Sequence, residues 1–133
     1  MKKSSLSGDR STSTYQLKQL IQDFVDERDW RKYHNPKDLA ISIAIEAVEL
    51  MELFQWVSES EVGTMLDDPK RFAKLEEELA DTIILCFNLA NVLNVDVAKA
   101  VTKKVEKNRA KYPVELVKGN YRKYTQLEDT KHD

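Results

Sequence analysis

Residues 36–57 read PKDLAISIAIEAVELMELFQWV. Leu39, Ile41, Ile43, Ile45, Val48, Leu50, Met51, Leu53, Phe54, Trp56 and Val57 leave no wide polar face when this stretch is wound as a helix. Asn35 followed by Pro36 supplies a cap and a pre-set first helical position, so the pattern predicts a helix over 36–57. A helix that is apolar nearly all round needs cover from several sides, more than one short domain provides alone. The expected fold is therefore all-α, a helical bundle completed by oligomerisation.

Working outward, Tyr15, Leu17, Leu20, Ile21, Phe24 and Val25 recur at helical spacing and predict a first helix running to about Trp30. Beyond residue 57 comes a polar connection to Asp67, where Ser58 and Glu61 match a capping box and allow a short helical turn. Asp68 and Pro69 repeat the cap-plus-proline signal. Phe72, Leu75, Leu79, Ile83, Cys86, Phe87, Ala90 and Leu93 then mark a long helix ending near Asn94. Asp96 caps a fourth helix carrying Val97, Val101 and Val105, which must stop before Pro113. The organisation expected is a polar, disordered segment over 1–14, a helical domain over 15–112 and an extended tail over 113–133.

At 133 residues, with 41% hydrophobic and 33% charged side chains, the chain suits one helical domain with solvated outer faces. Its single cysteine, Cys86, cannot form an internal disulfide and falls in an apolar run, which predicts a small buried hydrophobe. No apolar stretch in the first fourteen residues resembles a leader or a membrane span, so the expected location is cytoplasmic with no membrane partner. The net charge of −2 offers no general attraction for a nucleic-acid polymer. The charge is unevenly spread, however. From Glu46 to Asp81 eleven acidic residues stand against Lys70, Arg71 and Lys74, whereas from Lys103 to Lys123 eight basic residues stand against Glu106 and Glu115.

Within the acidic stretch, Glu46-Ala-Val-Glu49 lies in the apolar second helix and Glu78-Leu-Ala-Asp81 in the third. Residues three apart share a helical face, and Glu52 extends the first row by one step. If the two helices pack antiparallel, four carboxylates surround one point. Such a cluster in apolar surroundings is costly unless a cation is present. A hard divalent ion with oxygen ligands fits, and Mg²⁺ that also binds a substrate phosphate is the expected cofactor. The Glu-x-x-His pairing of di-iron bundles is missing, which disfavours iron.

Four carboxylates repel a triphosphate unless metal ions bridge the two and basic side chains neutralise the outer oxygens. On the fourth helix Lys104, Asn108 and Lys111 share a face that can point two ammonium groups and an amide at phosphates; the same run would also serve as an ordinary solvated face. Trp30 and Trp56, near His34, can sandwich a nucleobase, where stacking is worth ~1–3 kcal/mol. Ordinary packing is the other use of those aromatics. There is no Gly-rich phosphate loop, dinucleotide fingerprint or cysteine metal pattern.

Glu46, Glu49, Glu78 and Asp81 resemble the E-x-x-E, spacer, E-x-x-D mark of the MazG-like all-α nucleoside triphosphate pyrophosphohydrolases. The likeness is closest to the dCTP pyrophosphatase branch, through Asp29-Trp30, Tyr33-His34-x-Pro36, the run from Glu49 to Trp56, Asn108-Arg109-x-Lys111-Tyr112-Pro113 and Lys123-Tyr124-Thr125. It spans about Leu17 to Leu127. The resemblance implies a four-helix core assembled as a homodimer or homotetramer, the tetramer favoured, with Mg²⁺ on the four carboxylates. It implies cleavage of a (d)NTP to the monophosphate and pyrophosphate, with dCTP or a modified dCTP as substrate. Residues that grip the base match Trp30, His34 and Trp56; those near the phosphates match Lys104, Asn108, Lys111 and Tyr112. Glu49 or Glu52 is the expected catalytic base. Two departures stand out: Ile45 and Val48 stand where family members often have Gly before each glutamate of the first motif, and Lys111 stands where arginine is frequent, giving a point charge instead of a bidentate fork. The competing expectations are a non-enzymatic helical oligomer with a regulatory or scaffolding role and an oxygen-activating carboxylate metalloenzyme.

Overall fold

The computed structural model describes residues 6–121 and residue 125. In chain order the helices are α1 (Gly8–Ser11), α2 (Thr14–Glu27), α3 (Pro36–Glu52), α4 (Val62–Asp67), α5 (Pro69–Val92), α6 (Val97–Lys111) and α7 (Val114–Val117), with single 3₁₀ turns at Arg31–Tyr33 and Glu59–Glu61. No strand occurs among the described residues, and the fold is all-α. Two compact units divide at Val95 and Asp96. No single helix among the described residues is long and apolar enough to cross a membrane.

Local chemistry explains the helix starts. Ser13 and Gln16 form a reciprocal capping box on α2, the Asn35 side chain accepts from the Asp38 N–H at the start of α3, Asp68 accepts from Lys70 and Arg71 ahead of α5, and Asp96 accepts from Lys99 ahead of α6. The expected capping box between Ser58 and Glu61 is also present, with Glu61 Oε2 accepting from the Ser58 N–H at 2.9 Å and from its hydroxyl at 2.6 Å.

Three helix ends fall earlier than the apolar pattern predicts, and the backbone shows why. Helix α2 stops at Glu27 with Asp29 in the left-handed region (φ 52°) and the Trp30 N–H bonded back to the Val25 carbonyl. Helix α5 ends in the same way, with Asn94 left-handed and the Val95 N–H bonded to the Ala90 carbonyl. Both are Schellman closures built on Asp or Asn instead of glycine. Helix α3 ends at Glu52, not Val57: residues 53–57 close tight turns, and Trp56 takes φ 68°. Periodicity could not reveal this, because the apolar run continues through a turn that the Ser58 cap requires. In the terminal stretches expected to be disordered or extended, α1 and α7 are short helical turns; residues 1–5, 122–124 and 126–133 lie outside the described residues.

Within the first unit, α3 packs along α5, α2 lies against α5, and α4 meets the start of α5. The pairing runs in opposite senses. His34, just before α3, reaches Asn88 late in α5; Glu46 meets Glu78 midway; Leu53 and Gln55, after α3, line a pocket with Lys70 and Lys74 early in α5. Helices α3 and α5 are therefore antiparallel. On the α2 side, Asn91 donates to the Lys18 carbonyl (2.9 Å) and the Lys18 ammonium to the Val95 carbonyl (2.6 Å).

The buried apolar core is small: Ile21, Val25, Leu39, Met65 and Ala90. Ile41, Ile45 and Val48 form an exposed apolar row on α3, and Phe72, Leu79 and Ile83 are exposed on α5. Cys86 is exposed too, contrary to the reading of its apolar run as buried. The apolar surface of α5 is wider than the faces that α2, α3 and α4 cover.

Candidate metal and nucleotide site

The antiparallel pairing brings α3 and α5 together where each carries carboxylates. One oxygen from each of Glu46, Glu49 and Glu78 lies within 4.8 Å of the other two. Glu78 is buried, Glu46 half-buried and Glu49 exposed, so the cluster sits at the mouth of the helix interface. Asp81, also exposed, falls outside this group of three, yet its charge acts on Glu46. Glu52, at the end of α3, is exposed.

The electrostatics are those of a site short of positive charge. Burial raises the Glu46 carboxyl above its ordinary value of 4.5, and a hydrogen bond to Glu49 and the charges of Glu49, Asp81 and Glu78 push it the same way. Oε2 of Glu46 and Oε2 of Glu78 are enclosed without a hydrogen-bond partner. Orphaned buried acceptors cost ~1–3 kcal/mol each, and more when charged. The donor set fits a divalent cation, which takes oxygen ligands and would offset the repulsion that raises Glu46. Lys74, one turn before Glu78, answers part of the need by pairing with Glu78 Oε1 at 2.8 Å, a bond that raises the lysine's own pKa. Sequence reading passed over Lys74, although an i, i+4 pairing with Glu78 was there to be found.

Trp30 and His34 come close, their ring centroids 6.3 Å apart, and Phe24 meets Trp30 edge-on at 5.7 Å. His34 Nδ1 is 2.9 Å from Asn88 Nδ2, and Asn88 is only 3% exposed. A cavity of about 280 Å³ opens beside them, lined by Gln22, Val25, Arg31, His34, Asn88, Asn91 and Val92. Trp56 is not part of this group. It follows the far end of α3, a helix ~25 Å long, so one copy of the chain does not sandwich a base between Trp30 and Trp56. Trp56 is 93% exposed and sits on a left-handed backbone.

In the second unit, Lys104, Asn108 and Lys111 lie exposed on α6, and the Tyr112 N–H closes the helix on the Asn108 carbonyl at 2.8 Å. Arg109 pairs with Glu106 at 2.8 Å.

The MazG-like family model matches residues 41–127, a stretch that contains both carboxylate rows. The chain belongs to the MazG-like family. It is 42% identical to dCTP pyrophosphatase 1 of Rattus norvegicus over 111 residues, covering 84% of this chain and 65% of that protein. Against dCTP pyrophosphatase 1 of Homo sapiens the identity is 40% over the same share of each chain. The chain thus spans just under two thirds of these relatives' length. Among solved structures, a pyrophosphatase from Archaeoglobus fulgidus superposes with a TM-score of 0.69 at 43% identity, covering 74% of this MazG-like chain and 91% of the other.

Proposed function

We propose that the chain is a Mg²⁺-dependent nucleoside triphosphate pyrophosphohydrolase that converts a (d)NTP, namely dCTP or a modified dCTP, to the monophosphate and pyrophosphate, clearing the cytoplasmic nucleotide pool. The observation that carries this reading is the pair of enclosed, unpartnered oxygens on Glu46 and Glu78 beside Glu49. A purely structural bundle gains nothing from keeping them. The relatives named dCTP pyrophosphatase 1 support the same substrate.

Glu46, Glu49, Glu78 and Asp81 are the residues that would hold the metal. Bound there, Mg²⁺ supplies Lewis-acid polarisation of phosphoryl oxygens and a lowered pKa for water. Glu49 or Glu52, both solvent-facing on α3, takes the proton of the water that attacks the α-phosphorus as the bond to the β-phosphate oxygen breaks. Lys104 and Lys111, with Asn108 and Tyr112, offset charge on the departing pyrophosphate. Trp30 and His34 hold the base, and Trp56 offers a second stacking surface at the other end of α3. The exposed row of Ile41, Ile45 and Val48 supports a homo-oligomer, and the family resemblance favours a tetramer over a dimer.

A panel of common and modified dNTPs assayed for pyrophosphate release tests this reading. Release that requires Mg²⁺, stops with chelator and favours cytosine nucleotides is expected. No release from any nucleotide at millimolar Mg²⁺ would leave the scaffolding alternative, and bound iron after purification would revive the oxygen-activating one.

A further inference from the structure

One cation of the chain already sits on the carboxylate cluster. Lys74, a turn ahead of Glu78 on α5, places its ammonium 2.8 Å from Glu78 Oε1. The two groups differ in their access to water: the Glu78 side chain is 9% exposed and the Lys74 side chain 54%. Glu78 Oε2 is enclosed without a partner, as is Glu46 Oε2, and Glu46, Glu49 and Glu78 each bring one oxygen to within 4.8 Å of the others. The same ammonium lies 3.6 Å from the exposed Glu77. Lys74 thus stands between a buried carboxylate that belongs to the cluster and a solvated one that does not. A cavity of about 420 Å³ borders it as well, but Lys70 and Arg71 line that cavity and repel a third cation, which leaves Glu77 as the acceptor that retains a displaced ammonium.

A divalent ion on these carboxylates and an ammonium on Glu78 Oε1 are like charges drawing on one side chain. We infer that Lys74 is a resident counter-ion that competes with Mg²⁺ for Glu78, so that the site takes up the ion less tightly than its carboxylates alone would. The opposite use of such a contact is to steer Glu78 Oε2 toward Glu46 and so favour the ion. Burial already confines the Glu78 side chain, however, and a half-exposed ammonium on a flexible four-carbon stem orients little. The charge acts whichever rotamer the lysine takes, and it lowers affinity for a doubly charged ion by roughly three- to tenfold once solvent screening is allowed for. By neutralising part of the cluster, Lys74 also lessens the repulsion among Glu46, Glu49 and Glu78, so the fold does not depend on metal alone. The inference rests on the Mg²⁺ reading of the cluster and adds the residue that sets how much of the ion the site needs.

The test titrates Mg²⁺ alone, without nucleotide, into wild type, Lys74→Met, Lys74→Gln and Lys74→Arg by calorimetry at fixed ionic strength, and records the thermal unfolding of each with and without the ion. Lys74→Met and Lys74→Gln remove the charge while keeping good helix formers at a half-exposed position. Both are expected to bind Mg²⁺ roughly three- to tenfold more tightly than wild type. Lys74→Arg keeps the charge and should stay within about twofold of wild type. Without the ion the two neutral variants should melt below wild type, and saturating Mg²⁺ should stabilise them by more than it stabilises wild type. Either neutral variant decides the matter if the other fails to fold. Unchanged or weakened affinity in a folded neutral variant, or an equal tightening in Lys74→Arg, overturns the inference while leaving the nucleotide activity standing. No Mg²⁺ binding by any of the four proteins overturns the metal reading with it. Tightened binding in the neutral variants of a protein that hydrolyses no nucleotide would uphold the role of Lys74 and reject the activity.

Discussion

The two charged regions of the chain hold their charges in different ways. Along α6 the basic side chains stand in solvent, with local relief such as the Arg109–Glu106 pair, and water screens what is left. Where α3 meets α5, antiparallel packing gathers three carboxylates within 4.8 Å and encloses two of their oxygens, with Lys74 as the cation paired to Glu78. The first arrangement costs the fold little and, taken alone, says little about function. The second opposes folding, so its presence points to a ligand that compensates it. Charge reports chemistry when the structure has gone to expense to concentrate it.

That contrast can be broken by substitution, and the acidic side should give the larger response. Asp81→Asn or Glu49→Gln is expected to fold normally and to lose ~100-fold or more in Mg²⁺-dependent turnover, since even groups that only orient metal ligands are worth roughly 10- to 100-fold. Full turnover in either variant would remove those carboxylates from the site. On the basic side, Lys104→Ala combined with Lys111→Ala should raise KM by at least about tenfold, the loss expected from even one of the two charge-assisted hydrogen bonds. Its melting temperature should stay near wild type because both side chains are exposed. A large fall in stability with unchanged KM would reverse the roles assigned to the two regions.

How far the sequence could be read follows from the same contrast. The cap residues Asn35, Asp68 and Asp96 announced three helix starts correctly because capping is a local bargain between a side chain and the next few N–H groups. The end of α3 was hidden, because apolar periodicity runs unbroken through Phe54 and Trp56 while the backbone turns at φ 68°. Cys86 was misplaced for a related reason: an apolar neighbourhood on a helix does not say which face a neighbour covers. The spacing of Glu46, Glu49, Glu78 and Asp81 drew attention to both rows, but only packing could show three of them converging with Asp81 set apart. Asn88, buried and bonded to His34, gave no sequence signal, since a buried amide and a solvated one look alike until the fold places them.

The central claim is that the carboxylates on α3 and α5 are strained without a metal and relieved with one. Thermal unfolding of wild type and Glu46→Gln across pH, with and without Mg²⁺, addresses it most directly. Because the folded state holds the Glu46 carboxyl above its ordinary 4.5, its favourable contribution is complete below that value and is lost as pH rises through the raised one. Without metal, wild type should therefore lose stability relative to Glu46→Gln over that interval, read as a fall in its Tm relative to the variant. Millimolar Mg²⁺ should close the gap by stabilising wild type alone. Identical pH profiles for the two proteins, unmoved by Mg²⁺, would contradict the account.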